Sequence, residues 1–199
     1  MTTYLVLLRG INVGRAKRLA MADLRALLAD AGYTEVRTLL NSGNAVVSGP
    51  DNSPATHAAR IEQAITERTG LAVRVVVLTA GGLRTIFDAN PFAEVATDGS
   101  HLIAHVHAEL PIARAGIDPL ASDPERARLI GQVVYQWCPD GVLTAPPVGF
   151  PDMLVTARNW NTITKLAALV ADAGLESTKP PTAAESLAAL KRMERSAPW

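Results

Sequence analysis

Tyr4-Leu5-Val6-Leu7-Leu8, followed at once by Arg9-Gly10-Ile11-Asn12-Val13-Gly14, is the stretch from which the fold can be read. Five apolar residues without alternation predict a strand buried on both faces, and so a central one. Such a strand needs an apolar layer on each side of its sheet. Outward from it, Met21, Leu24, Leu27, Leu28 and Ala31 recur at helical spacing and Gly32 stops that helix. Residues 36–40 and 45–48 flank Asn41-Ser42-Gly43-Asn44, which predicts a β-hairpin. Ser53-Pro54 has the form of a helix cap with proline in the first turn, Ala58, Ile61, Ala64 and Ile65 continue the helix, and Gly70 ends it. Residues 73–78 form a further strand. The order is β-α-β-β-α-β, the split βαβ unit.

The second half carries weaker signals. A helix around Leu83, Ile86 and Phe87 ends before Asn90-Pro91, and strands are expected at 101–108, 132–137, 142–144 and 153–157. A last helix follows Asn159, with Ile163, Leu166, Ala167 and Val170 on its apolar face, and ends at Gly174. Residues 111–124 are turn-rich. The expected fold is therefore α+β: two ferredoxin-like (βαββαβ, α-β plait) units in one chain with a C-terminal helical tail. The expected divisions are 1–80, 81–178 and 179–199. The two halves share an element order and not a sequence repeat. In the tail, Thr182 and Glu185 have capping-box spacing, and Leu187, Leu190 and Met193 form a stripe.

Composition narrows the function. The 199 residues include 19 basic and 19 acidic side chains, so the net charge is zero. That balance argues against a broad nucleic-acid or membrane surface, and any electrostatic role must come from local segregation of charge. Cys138 is the only cysteine, which fits a reducing, cytoplasmic location. The apolar run at 4–8 is too short for a signal-peptide core or a membrane span.

The basic loop after the first strand is the leading candidate site. Arg9, Arg15, Lys17 and Arg18 lie within ten residues that contain no acid, together with Asn12 and the glycines Gly10 and Gly14. Glycines let backbone N–H groups turn toward a phosphate or carboxylate, and a following helix start adds positive dipole. The Walker and dinucleotide patterns are absent. A solvated loop with glycines serving turn geometry explains the same residues. The second candidate is Arg158-Asn159-Trp160-Asn161-Thr162 with Lys165. It combines a capped helix start, two cations and an aromatic ring that can stack on a flat ligand. Capping, with Trp160 wedged between units, is the favoured account, since capping alone explains the asparagines and threonines. Asn44 in the hairpin turn can face the same end of the sheet, although a tight turn accounts for it.

His101, His105 and His107 share parity on one strand, but no acid or cysteine sits at a metal-ligand spacing. They are expected on a polar, solvent-facing side. No metal, no cofactor and no catalytic constellation are expected: there is no G-x-S-x-G elbow, and Cys138 reads as a small buried residue.

Leu8-Arg9-Gly10-Ile11-Asn12-Val13-Gly14, Met21-Ala22-Asp23-Leu24-Arg25, Ser42-Gly43-Asn44 and Arg158-Asn159-Trp160-Asn161-Thr162 together resemble the bacterial family known as domain of unknown function 1697. The resemblance spans about the first 174 residues, by order of motifs, and leaves out the 182–199 tail. It implies two ferredoxin-like units and brings no activity, cofactor or catalytic residue. Arg15 stands where the family usually has a second glycine, and Asn41 where it usually has glutamine.

Three functions follow as expectations. The first is binding of an anionic ligand, nucleotide or nucleic acid, through the two basic motifs. The second is an enzyme acting on a small phosphorylated or carboxylated substrate in the cleft between units, oriented by Arg9, Asn12 and Arg158. The third is an interaction or scaffold role, since either the second unit or another subunit must cover the outer face of the first sheet.

Overall fold

The computed structural model describes residues 1–13, 18–108, 120, 122–148 and 153–177, the last four by backbone alone. Gly14, Arg15 and Lys17, most of the 111–124 segment and the tail expected to be helical lie outside the described residues.

The first half runs β1 (Thr2–Leu8), α1 (Met21–Asp30), β2 (Thr34–Leu39), β3 (Asn44–Gly49), α2 (Pro54–Thr69) and β4 (Val75–Thr79). The strands form an antiparallel sheet in the order β2-β3-β1-β4, so β1 is internal, as its unbroken apolar run predicts. Tyr4, Val6 and Leu8 face the apolar stripes of α1 and α2, while Leu5 and Leu7 face the opposite side. The Ser53 hydroxyl accepts from the Thr56 N–H to cap α2, Pro54 opens its first turn, and Gly70 closes it in the left-handed region.

The second half runs α3 (Ala80–Asp88), β5 (Leu102–His107), β6 (Ala127–Ile130), β7 (Val133–Trp137), β8 (Val155–Asn159) and α4 (Trp160–Ser177). Its sheet has the order β6-β7-β5-β8, which repeats the pattern of the first. Both sheets are antiparallel, and among the described residues four helices pack against them.

One apolar cluster joins the two halves. Leu5, Leu7 and Val76 from the first sheet meet Leu83 and Ile86 of α3 and Ile163 and Leu166 of α4, which also pack against Leu102, Ala104 and Tyr135 of the second sheet. The outer face of the first sheet is thus covered from within the chain. Tyr135 fastens this layer: its hydroxyl donates to the Ile86 carbonyl at 2.7 Å, and burial pushes its pKa up to about 12.

The second half departs from expectation at several points. Among the described residues no helix lies between β5 and β6 or between β7 and β8. Residues 142–144 form a turn and no strand. The partner of β7 is instead β6, reached through Gly131 at φ 57°. Helix α4 passes Gly174 and runs to Ser177, the last described residue. A glycine inside a packed helix weakens it only modestly, so tertiary contact carries the helix through.

The histidines expected to face solvent are not solvent-facing. His107 is fully buried and His105 half-buried. The segment after β7 lies over that face: the Gln136 side-chain amide donates to the Pro146 carbonyl at 2.8 Å. His101 precedes β5 and packs beside the Trp137 ring.

Burial also sets a pH dependence. Desolvation, reinforced by the neighbouring His105, pushes the His107 pKa down to about 4 from 6.5. Burial lowers that of His57 as well. His57 Nε2 can only donate to the Pro50 carbonyl, so Nδ1 accepts from the Tyr33 hydroxyl at 2.7 Å. A proton on Nδ1 would reverse that bond, so that the Tyr33 hydroxyl must turn to accept and its own hydrogen loses this acceptor. Both rings are therefore held neutral in the fold. The unfolded chain takes up protons first as pH drops, so stability is full above pH 6.5 and declines toward about 4. Urea midpoints measured across this window should fall with pH. A midpoint independent of pH would show that the folded rings accept protons freely.

Candidate functional site

The two basic motifs converge. The start of the loop after β1, with Arg9, Gly10 and Ile11, lines a cleft of about 640 Å3 together with Arg158 and Asn159 at the end of β8 and Thr162 in the first turn of α4. Ser42 from the hairpin turn and His105 from β5 line it too. Among the described residues the lining holds two arginines and one histidine, and no aspartate or glutamate.

Local structure holds this loop start in place. The Leu8 N–H donates to the Gly43 carbonyl and the Arg9 N–H to the Arg74 carbonyl, each at 2.8 Å. Gly10 and Asn12 then take φ of 65° and 56° and turn the chain away from the sheet. Asn12 serves as a bracket. Its Nδ2 donates to the carbonyls of Leu19 (2.9 Å) and Asn41 (2.7 Å), and its Oδ1 accepts from the Leu19 N–H (2.9 Å). That side chain closes the loop base and ties it to the hairpin turn. With Arg18 it lines a separate hollow of about 460 Å3 at the start of α1.

Arg158 is the centre of the arrangement, in a role different from the one its sequence context suggested. A guanidinium carries five N–H donors, and each has an acceptor here. Nε donates to Asn44 Oδ1 (2.6 Å). Nη1 donates to Thr156 Oγ1 and the Ala157 carbonyl (both 2.8 Å). Nη2 donates to the carbonyls of Leu8 (2.8 Å) and Ser42 (3.1 Å). Three of these acceptors belong to the first sheet and its hairpin turn, so Arg158 clamps β8 to the other half. None is a carboxylate. Burial pushes its pKa down to about 10, so it stays charged at neutral pH.

The other candidates divide by position. Asn44 is fully buried, with its Nδ2 donating to the Leu39 carbonyl and the Ser42 hydroxyl. Asn159 caps α4: its Oδ1 accepts from the Thr162 N–H (3.0 Å) and hydroxyl (2.7 Å). Trp160 stacks on Phe87 with ring centres 5.5 Å apart and planes 18° apart, and its edge meets Tyr135. It is a partly buried wedge between helix and sheet, with one ring face stacked on Phe87. Asn161 sits against the Gly99 loop, its N–H directed at the Gly99 carbonyl. Lys165 is exposed one turn further along α4 and does not line the cleft. Arg9 is the exposed cation at the rim.

His105, weighed in the sequence only as a metal ligand and expected on a solvent-facing side, is held by a chain of polar contacts. Gln136 Nε2 donates to Asp123 Oδ2 (3.0 Å) and to the Pro146 carbonyl, which orients the amide. Gln136 Oε1 therefore accepts from His105 Nε2 at 3.2 Å. Burial lowers the His105 pKa, and the Gln136 contact partly opposes it. Among the described residues no group of three or more histidine, cysteine or acidic side chains is placed to hold a metal, and no helix is long and apolar enough to cross a membrane. Cys138 is buried, with its thiol pKa raised by desolvation, which suits a packing role.

The fold and cleft thus define an α+β protein of two antiparallel sheets whose halves meet at a basic seam. Residues 1–135 match the model of the family described as proteins of unknown function, DUF1697, and the chain belongs to that family. The match ends before the 158–162 motif. No curated protein sequence matches the chain. Among solved structures, the conserved bacterial protein SP0830 from Streptococcus pneumoniae is similar in fold, with a TM-score of 0.69 at 21% identity, over 85% of this chain and 98% of that one.

Proposed function

We propose that the cleft between the two halves binds a small anion bearing a phosphate or carboxylate. The observation that carries this reading is a guanidinium in the cleft wall that has, among the described residues, no carboxylate partner, in a described lining that contains Arg9 and His105 and no acid. Partly withdrawn from water, this unneutralised charge projects its field into the cleft. Arg158 has all five donors engaged, so it supplies field, and Arg9 with the N–H groups of the turn supplies direct contacts.

The cleft volume lies in the range of small-molecule sites. A nucleic acid fits less well. Among the described residues no aromatic side chain lines the cleft, Trp160 packs against Phe87, and the chain is neutral overall. The hydroxyls of Ser42 and Thr162 are hydrogen-bonded to Asn44 and Asn159, which favours binding over nucleophilic chemistry.

We also read the chain as a pair of ferredoxin-like units, 1–80 and 81–178, followed by a separate tail. The shared strand order supports that reading, with the cleft at one end of their junction. A cytoplasmic location is part of the same proposal.

Sulfate, phosphate and small phosphate esters should perturb amide resonances of Leu8–Val13 and 155–162 in a saturable way. Affinity should fall as salt rises, and Arg9→Ala should weaken it about 5- to 20-fold, the loss of one charge-assisted contact. Unmoved resonances with millimolar ligand at low salt would reject the proposal, as would equal affinity in the variant.

A further inference from the structure

We infer that the anion taken by this cleft is amphipathic: a phosphate or carboxylate head at Arg9 and Arg158, carried on a short aliphatic body laid along β8. The inference rests on the reading of the cleft as an anion site and names the class of molecule that fills it.

The geometry that carries it is the course of the cleft along an edge strand. β8 pairs with β5 alone, so one of its edges is open within its sheet. All five β8 residues, Val155 to Asn159, line the cleft. Successive side chains of a strand point to opposite faces, so a cleft that meets all five runs along the strand's edge and not over one face. At about 3.3 Å per residue, the cleft follows β8 for about 13 Å.

The two ends of that path differ in chemistry. At the Asn159 end stand Arg158, whose Nη2 donates to the Leu8 and Ser42 carbonyls, and Arg9, next in the chain to Leu8. At and before Val155 the lining is Val155, Met153 and Val148, and among the described residues it holds no charged group there. About 10 Å of strand separates Val155 from Arg158, room for a chain of several carbons. Val13, further along the loop that carries Arg9, adds an apolar side chain that is 71% exposed. Met153 and Val148 are half-buried. Apolar side chains exposed singly need no explanation, but these border one cleft. A bare inorganic anion would sit at the Arg9 end and leave them wet. An aliphatic body on the head group covers them, and its burial adds affinity that charge alone does not supply.

The probes are ethyl phosphate and hexyl phosphate, with acetate and hexanoate as a parallel pair, titrated into the full chain and followed by amide resonances of the cleft. A methylene half withdrawn from water gives about a twofold gain in affinity, so four more of them predict hexyl phosphate binding about tenfold more tightly than ethyl phosphate. Resonances of residues 153–157 should move with the six-carbon probes and far less with the two-carbon ones. Val13→Ser, at an exposed position, should cut the hexyl-to-ethyl ratio about twofold. The same chain preference in the carboxylate pair alone would uphold the inference and assign the head group. Equal affinity of long and short probes in both pairs would overturn the aliphatic body and leave the anion site standing. Hexanol matching hexyl phosphate would overturn both readings, since the head group would then contribute nothing, and so would the absence of any shift.

Discussion

Arg158→Met should destabilise the protein by about 3–4 kcal/mol, a lower urea midpoint with the fold retained. The side chain spans the seam between halves, and its removal strands acceptors on both sides. The Leu8 carbonyl and Asn44 Oδ1 lie where water has little access, and each loses a charge-assisted donor. An orphaned buried acceptor costs about 1–3 kcal/mol, so two such groups, with partial relief for the exposed Ser42 and Ala157 carbonyls, reach the stated total. Methionine keeps much of the stem packing, which confines the loss to polar contacts. Arg158→Lys separates charge from geometry. A lysine restores the positive charge but concentrates its three donors on one atom, and it cannot reach Asn44, Leu8 and Thr156 together. It should recover less than half of the loss. A methionine variant within about 0.5 kcal/mol of wild type would show that the clamp contributes nothing.

That clamp marks the limit of what could be read from the amino-acid order. The first half was legible because its signals are local. The unbroken run of Tyr4 to Leu8 placed β1 inside its sheet, and Ser53-Pro54 and Gly70 bounded α2. The need for a layer over Leu5 and Leu7 was legible too, although not which elements would supply it. The second half was less so. β6 pairs with β7 through Gly131, yet Ala127 to Ile130 is only four residues long and its exposed positions are Arg128 and the apolar Ile130, so no polar–apolar alternation marks it. The convergence of Arg9 with Arg158 could be posed only as a question, because 149 positions separate them.

The roles inside the site were the least legible part. Arg158 looked like a ligand contact because a cation before a helix cap is a common anion-binding arrangement. Three of its acceptors are 114 to 150 residues away, and two of those are backbone carbonyls, which carry no side-chain signature. Trp160 was correctly weighed as a wedge, since its partner Phe87 lies on an apolar helix face. His105 was misplaced because parity shows only which residues share a face, and the cover over that face comes from irregular chain around Pro146.

Gly43→Ala should cost about 2–4 kcal/mol and disturb the cleft as well. Two effects act at this position. The backbone sits at φ 75°, where an L side chain is strained by about 1 kcal/mol. A Cβ would also lie 2.7 Å from Leu8 Cβ and 2.7 Å from Ile11 Cδ1. Leu8 Cβ cannot yield easily, so the end of the Ile11 side chain is what must move. Leu8 is in the ladder with β4 and fully buried, and Ile11 packs beneath the loop that carries Arg9. The expected response is a displacement of Ile11, and with it of the rim of the cleft, so sulfate affinity should drop along with stability. Gly43→Asn distinguishes the two effects. Asparagine tolerates positive φ better than alanine, so a purely backbone penalty would make it the milder variant. The close approach predicts the reverse, with asparagine at least as damaging as alanine because its Cβ meets the same atoms and its amide adds bulk. A milder asparagine variant with unchanged sulfate binding would show that the turn needs glycine only for its backbone, and that the hairpin and the cleft loop are not packed as one unit.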